Sequence, residues 1–451
     1  MFQNLPRYRA VRSDGFWEAA VPEHWAVLPG MAVVAENKRK NAGLIEGQVL
    51  SLSFGRVVVK PVEKQRGPVP ESYEGYQILD PGDIVIRPTD LQNDQRSIRV
   101  GLVRDRGIIT SAYIGLRPRG PWSTGYAHAY LATVDSTKRI YGMGSGLRQQ
   151  LGWVDLRRMP CLVPPPEEQE AIVKYLAHAN ARIDKAIAAK RRLIALLDEE
   201  LEAIARDVMT LDDAPMVRTK DVCTRIVDCK NRTPEFVEDG QFHVVRTTCV
   251  RSGTFSMDGS YPTDEPNFVE WTQRGAPQEG DVFFTREAPA GEAALVPRRE
   301  DLCLGQRMMY FRPNRSKVLP EFLLLSIYAD PARRFIEVAT NGSTVGHLRV
   351  GDVGKLPLRL PSLDVQHRLL TAYAASTASI ETTQARVAQE IGLLREFRTR
   401  LVSDVVTGQV DVRGIASKLQ DVDPEAAWGD AGVGDEADLA ELEDVLVDSE
   451  A

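Results

Sequence analysis

Two stretches of this chain place apolar residues at alternating spacings near three and four. The first runs through Ile172, Leu176, Ala179, Ile183, Ile187, Ile194, Leu197, Leu201, Ile204 and Val208, the second through Leu370, Tyr373, Ile380, Val387, Ile391, Leu394, Leu401 and Val405. So narrow a seam predicts two long helices paired as a coiled coil, because a helix packed only on its own domain needs a broader apolar face. Gln384 and Arg398 interrupt the second seam; polar residues at such positions fix register at a cost in stability. Prolines precede both helices, in "VPPPEEQEAIVKYL" (163–176) and "LPSLDVQHRLLTAY" (360–373). Proline ends a strand and opens a helix where its missing N–H is not needed, and Glu167 and Glu168 suit the helix dipole. At 1.5 Å per residue the first helix spans about 60 Å.

Elsewhere the pattern shortens. "GQVLSLSFGRVVVK" (47–60), "GDIVIR" (82–87), "GIITSAYIGLRP" (107–118), "FHVVRTT" (242–248) and "DVFFTR" (281–286) predict strands with Gly and Pro at their ends. Sliding the chain on itself by 197 residues sets Pro160 on Pro357, Pro164 on Pro361, Gln169 on Gln366, Ile183 on Ile380, Leu197 on Leu394, Asp207 on Asp404 and Thr210 on Thr407. "PGDIVIR" (81–87) then echoes "EGDVFFTR" (279–286). Such a repeat predicts an α+β fold: two mixed α/β units of about 140 residues separated by two long antiparallel coiled-coil helices, since a pseudo-twofold axis makes like helices run in opposite senses. The expected boundaries are a leading segment 1–25, a first unit 26–164, a first spacer helix 165–211, a second unit 212–361, a second spacer helix 362–412 and an acidic, disordered tail 413–451.

Composition narrows the chemistry. Among 451 residues no run of eighteen is apolar and the start lacks an apolar signal core, so the expectation is a cytoplasmic protein with no membrane partner. The five cysteines form no CxxC pair, and Cys223, Cys229, His243 and Cys249 lack the spacing of a zinc site, so reduced thiols and no metal are expected. The net charge of −7 is unevenly spread: residues 417–451 carry twelve acidic residues and one lysine, which leaves residues 1–416 mildly basic. No phosphate loop, HExxH or GxSxG motif occurs, and "GMGSG" (142–146) lacks the remainder of a dinucleotide fingerprint. No catalytic residue and no cofactor are expected in this chain. Arg, Lys, Asn and Gln, the side chains that reach base edges and phosphates, do gather in predicted loops. The DNA-contact candidates are Lys38, Arg39, Lys40, Arg87, Gln92, Asn93, Arg96, Arg99 and Arg148 in the first unit, and Lys230, Asn231, Arg232, Thr233, Arg246, Thr247, Arg286, Gln306 and Arg307 in the second.

Across residues 14–413 the chain resembles the specificity (S) subunit of type I restriction-modification systems. The resemblance is carried by "DGFWEAAVPEHW" (14–25), by the junctions "PPPEEQEAIVKYL" and "LPSLDVQHRLL", by "LVSDVVTGQVDVR" (401–413), and by "LQNDQRSIRVGL" and "VDCKNRTPEF", which are similar to segments of target recognition domains. The second junction departs from the family in having Asp364 and Val365 in place of two glutamates. The resemblance implies a non-catalytic subunit whose two target recognition domains each read half of a bipartite site on double-stranded DNA, with the helices as a ruler for the gap. It implies two methyltransferase (M) subunits as partners, bringing S-adenosylmethionine and adenine methylation, and restriction (R) subunits, bringing ATP and Mg2+. The competing expectations are a self-sufficient DNA-modifying enzyme with an unrecognised site and a coiled-coil scaffold without DNA affinity.

Overall fold

The computed structural model describes residues 5–421 apart from 54, 61–71, 90–97, 144–149, 212, 231 and 341–346. It has two units, Met1–Lys190 with Gln389–Ala451, and Arg191–Ala388, so each contains part of both long helices, Pro166–Val208 and Leu363–Val406. In the first unit Asp184 pairs with Arg398 and Lys190 with Glu390. Position rises along one helix as it falls along the other, so the helices are antiparallel there. Ile183, Ile187 and Ile391 are buried along this pairing, Leu394 is half-buried, and Ile172, Leu176, Leu401 and Val405 sink into the unit's main core. In the second unit the Gln384 amide donates to Asp198 Oδ1 at 2.7 Å. Ile380 and Val387 are buried, while Ile194, Leu197, Leu201, Ile204, Leu370 and Tyr373 are half-buried. Both polar interruptions of the second seam thus meet a carboxylate on the opposing helix, which a buried guanidinium or amide requires if its desolvation is to be offset.

The units are built alike. In the first, Ala26–Pro29 pairs with Pro160–Val163, one helical turn (Gly30–Val33) follows, and the chain enters the edge strand Val34–Glu36. In the second, Met216–Arg218 pairs with Pro357–Arg359, Thr219–Val222 makes the turn, and Cys223–Asp228 is the edge strand. The first unit's sheet then runs, in spatial order, Val34–Glu36, Ile114–Pro118, Ile84–Ile86, Val100–Leu102, Arg56–Val59 and Leu50–Ser53. Its first four strands find counterparts in the second unit's Cys223–Asp228, Met308–Pro313, Val282–Thr285 and Ala293–Leu295. The echo "PGD" and "EGD" is a turn in which Gly82 (φ +91°) and Gly280 (φ +83°) take a conformation that favours glycine. The next residue in each is a buried aspartate gripped by an arginine: Arg117 Nε donates to Asp83 Oδ1 at 2.7 Å, and Arg312 Nε to Asp281 Oδ1 at 2.9 Å.

The repeated junction also has one geometry. Gln169 and Gln366 are buried at the starts of the two helices. Gln169 accepts from the Ser123 N–H at 2.8 Å and donates to the carbonyls of Pro121 (2.8 Å) and Pro164 (2.9 Å). Gln366 accepts from the Leu319 N–H at 2.9 Å and donates to the carbonyls of Lys317 and Pro361, both at 3.0 Å. Each amide therefore clamps the segment leading into a domain helix (Thr124–Ser136 or Pro320–Tyr328) to the prolines that launch the long helix.

Two expected boundaries differ from the structure. The leading segment is not separate: Val11–Asp14 and Ala19–Pro22 form a hairpin, and Tyr8, Trp17, Val21 and Trp25 belong to the same core as Leu401, Val405, Val412 and Ala416. Residues Arg413–Ala416, assigned to a disordered tail, form a helical turn with Ala416 buried, because the apolar Ile415, Ala416 and Leu419 have that core to cover. The rest of the tail, from 422, lies outside the described residues. No described helix is long and apolar enough to cross a membrane.

Candidate nucleic-acid interface

The cations cluster because the strands that carry them end together. In the second unit, Asp228 opposes Met309 and Thr285 opposes Met308, so the segments after Asp228 and after Thr285, and the one before Met308, meet at one end of the sheet. The Cys229 N–H donates to the Met308 carbonyl (3.1 Å) and the Arg286 N–H to the Arg307 carbonyl (2.9 Å). Phe242–Val245 runs parallel to Leu302–Leu304, and the Gly305 N–H donates to the Val245 carbonyl at 2.8 Å, which brings Arg246 and Thr247 to the loop of Gln306 and Arg307. The topology thus collects Lys230, Arg232, Arg246, Arg286, Gln306 and Arg307 from four separate stretches of sequence.

Their environments differ. Lys230 Nζ donates to Glu270 Oε1 at 3.0 Å, Arg232 binds the same oxygen, and both cations lie over the Trp271 ring, at 5.2 and 5.1 Å. The Lys230 hydrogen bond and the Arg232 charge hold the Glu270 carboxyl below the usual carboxylate range. The helix Glu265–Trp271 that presents this pair is capped by Asp264, whose side chain accepts from the Asn267 N–H. Arg307 is held by Glu287 at 3.3 Å, and His347 contacts the same glutamate at 2.5 Å. Arg286 is buried, 3.1 Å from Asp228; burial raises the Asp228 carboxyl despite the Arg286 and Arg274 charges. Arg286 therefore braces the site from beneath and does not offer a free guanidinium. Arg246 and Thr247 are partly exposed, Thr233 and Gln306 are exposed, and Asn231 lies outside the described residues.

The first unit repeats the plan. Lys38, Arg39 and Lys40 follow the edge strand as Lys230 and Arg232 follow theirs, and Arg87 follows Ile84–Ile86 as Arg286 follows Val282–Thr285. Asn37 pins the loop: its amide donates to the Ile78 carbonyl at 2.6 Å and accepts from the Arg39 N–H at 2.9 Å. Lys38 reaches solvent with Glu36 beside it at 3.2 Å, Lys40 is exposed, and Arg39 is tied to Asp80 at 2.8 Å. Arg99 is fully buried against Tyr141 and the Thr89 carbonyl, so it holds the fold and offers no contact surface. Gln92, Asn93, Arg96 and Arg148 lie outside the described residues. Glu270, Trp271 and Arg274 were missed from sequence, since a seven-residue helix without a counterpart in the repeat gave no signal. Among the described residues no group of His, Cys, Asp and Glu is arranged to hold a metal ion.

Comparison with known proteins matches part of the chain to one family. Residues 212–391 match the model of the type I restriction modification DNA specificity domain. The match agrees with the family resemblance carried by the motifs, over that stretch of the chain. No curated protein matches the sequence. Several solved structures are similar, among them the following three. One is a chain from work on complex assembly and conformational transition of the type I R-M system, at 14% identity, covering 86% of this chain and 99% of that chain with a TM-score of 0.48. Another is the HsdS subunit from Thermoanaerobacter tengcongensis, at 14% identity, 88% and 100% coverage and a TM-score of 0.39. The third is the type I restriction-modification S subunit from M. genitalium, at 10% identity, 85% and 96% coverage and a TM-score of 0.32.

Proposed function

We propose that this chain is the DNA-reading subunit of a type I restriction-modification complex, each unit reading one half of a bipartite site on double-stranded DNA. The observation that carries this reading is that cations follow corresponding strands of both units at the same end of each sheet, in a chain with a specificity domain at residues 212–391. Arg and Lys at such ends neutralise phosphates and, where exposed, reach base edges. The long helices set the gap between half-sites and dock two methyltransferase subunits. Those subunits bring S-adenosylmethionine for adenine methylation, and restriction subunits bring ATP and Mg2+; this chain supplies no catalytic group and acts in the cytoplasm.

The ruler is tested by lengthening both helices by one heptad, after Ala188 and after Leu393, which preserves the phase of the seam. Seven residues add about 10 Å, equal to about three base pairs of duplex. Mapping methyladenine in cells carrying the assembled complex should reveal the same half-sites with the gap widened by that amount. An unchanged gap contradicts the ruler, and a methylated sequence that is not split contradicts the two-reader scheme.

A further inference from the structure

The last described residues lie against the first long helix. Lys174 Nζ donates to Asp421 Oδ1 at 2.6 Å, and one turn further His178 Nε2 donates to the Gln420 carbonyl at 2.8 Å. Steps of three and four residues along the same face lead next to Arg182 and Lys185. Both are exposed, and neither has an ion-pair or hydrogen-bond partner among the described residues. The face is thus a basic stripe whose first two positions already hold the chain's own C-terminal segment. Beyond Asp421 come thirty residues with eleven Asp or Glu and no Lys or Arg. Fully extended they reach about 100 Å, whereas Lys174 to Lys185 spans only about 17 Å of helix. Charge, reach and point of departure agree on one occupant.

We propose that the acidic segment 422–451 folds back along Lys174, His178, Arg182 and Lys185 and shields this stripe from DNA phosphates. The stripe belongs to the first long helix and not to the strand ends that carry the candidate readers, so its natural liability is sequence-blind attraction to any duplex. An acidic cover removes that attraction without touching the readers. Because Arg182 and Lys185 are exposed, the cover weakens as salt screens it. The shielding role rests on the DNA-reading function proposed above, whereas the fold-back contact does not, and the experiment separates the two.

The full-length chain is treated with a zero-length carbodiimide, which joins amines to carboxylates in contact, and the products are mapped by mass spectrometry. Lys185 should be linked within one molecule to carboxylates of 422–451 at low salt and unlinked at high salt; absence of that link at low salt, including the case in which another protein covers the stripe, overturns the fold-back. Binding to a duplex lacking any target site is then measured for the full chain and for a chain ended at Asp421. Truncation should tighten binding about tenfold at low salt and steepen its salt dependence, and in an Arg182→Glu, Lys185→Glu background it should have less than about a twofold effect. Equal gains in both backgrounds overturn the shielding role while leaving the DNA-reading function untouched.

Discussion

Position 168 is a glutamate and its repeat counterpart, 365, a valine, and among the differences between the two junctions this one separates their tasks. One residue further on, Gln169 and Gln366 make the same three bonds. Glu168, buried, accepts from the Tyr8 hydroxyl (2.8 Å) and the Trp25 indole (2.9 Å), lies 2.6 Å from His24 and accepts from Arg413 at 3.2 Å. Residues 8, 24, 25 and 413, far apart in the sequence, are thereby fastened to the start of the first helix. Burial pushes the Glu168 carboxyl up, but bonds from Trp25, His24 and Tyr8 and the Arg413 charge outweigh it and hold it below the usual carboxylate value. Val365 is half-buried and has no such task. The shared element launches a long helix; the unshared one closes the first unit by tying Tyr8, His24, Trp25 and Arg413 to that helix start.

The strongest way to break this comparison is at its shared element. Gln169→Ala and Gln366→Ala should each destabilise the protein by about 3 kcal/mol, because three bonds vanish and buried backbone groups lose their partners. Urea unfolding should give similar losses for the two; a large loss at one and none at the other would refute the common clamp. Glu168→Gln should cost about 2 kcal/mol, since an amide can neither accept at every site nor balance Arg413. A group whose folded pKa is depressed contributes stability above its unfolded value and loses that contribution as pH falls through the folded pKa. Trp25 fluorescence should therefore report loosening of the first unit below about pH 4.5 in the wild type, with that component absent in Glu168→Gln. Smaller still is the effect of Glu270→Gln, which frees Lys230 and Arg232 from their shared carboxylate. Binding to a site-free duplex should rise about threefold at low salt while discrimination falls; unchanged binding would remove Glu270 from the interface.

Much of this architecture was legible because a seam, a proline junction and a repeat are local patterns. The 197-residue offset alone marked Gln169 and Gln366 as equivalent, and interrupted periodicity singled out Gln384 and Arg398. The site was less legible, for definite reasons. Arg99 and Arg286 have the residue type of a DNA contact, but they adjoin strands buried on both faces, where alternation cannot tell inside from outside. Partners such as Glu270 for Arg232, or Tyr8 and Arg413 for Glu168, lie from 38 to 245 residues away and are brought near only by topology.

The central claim is that each unit reads one half-site independently, and half-site discrimination by Arg246→Ala tests it most directly. Arg246 stands beside the loop of Gln306 and Arg307, with no partner holding its guanidinium among the described residues. In the assembled complex, competition with duplexes altered in one half or the other should show discrimination reduced by about 1–3 kcal/mol in one half and unchanged in the other. Equal loss in both halves, or no loss in either, would contradict the account.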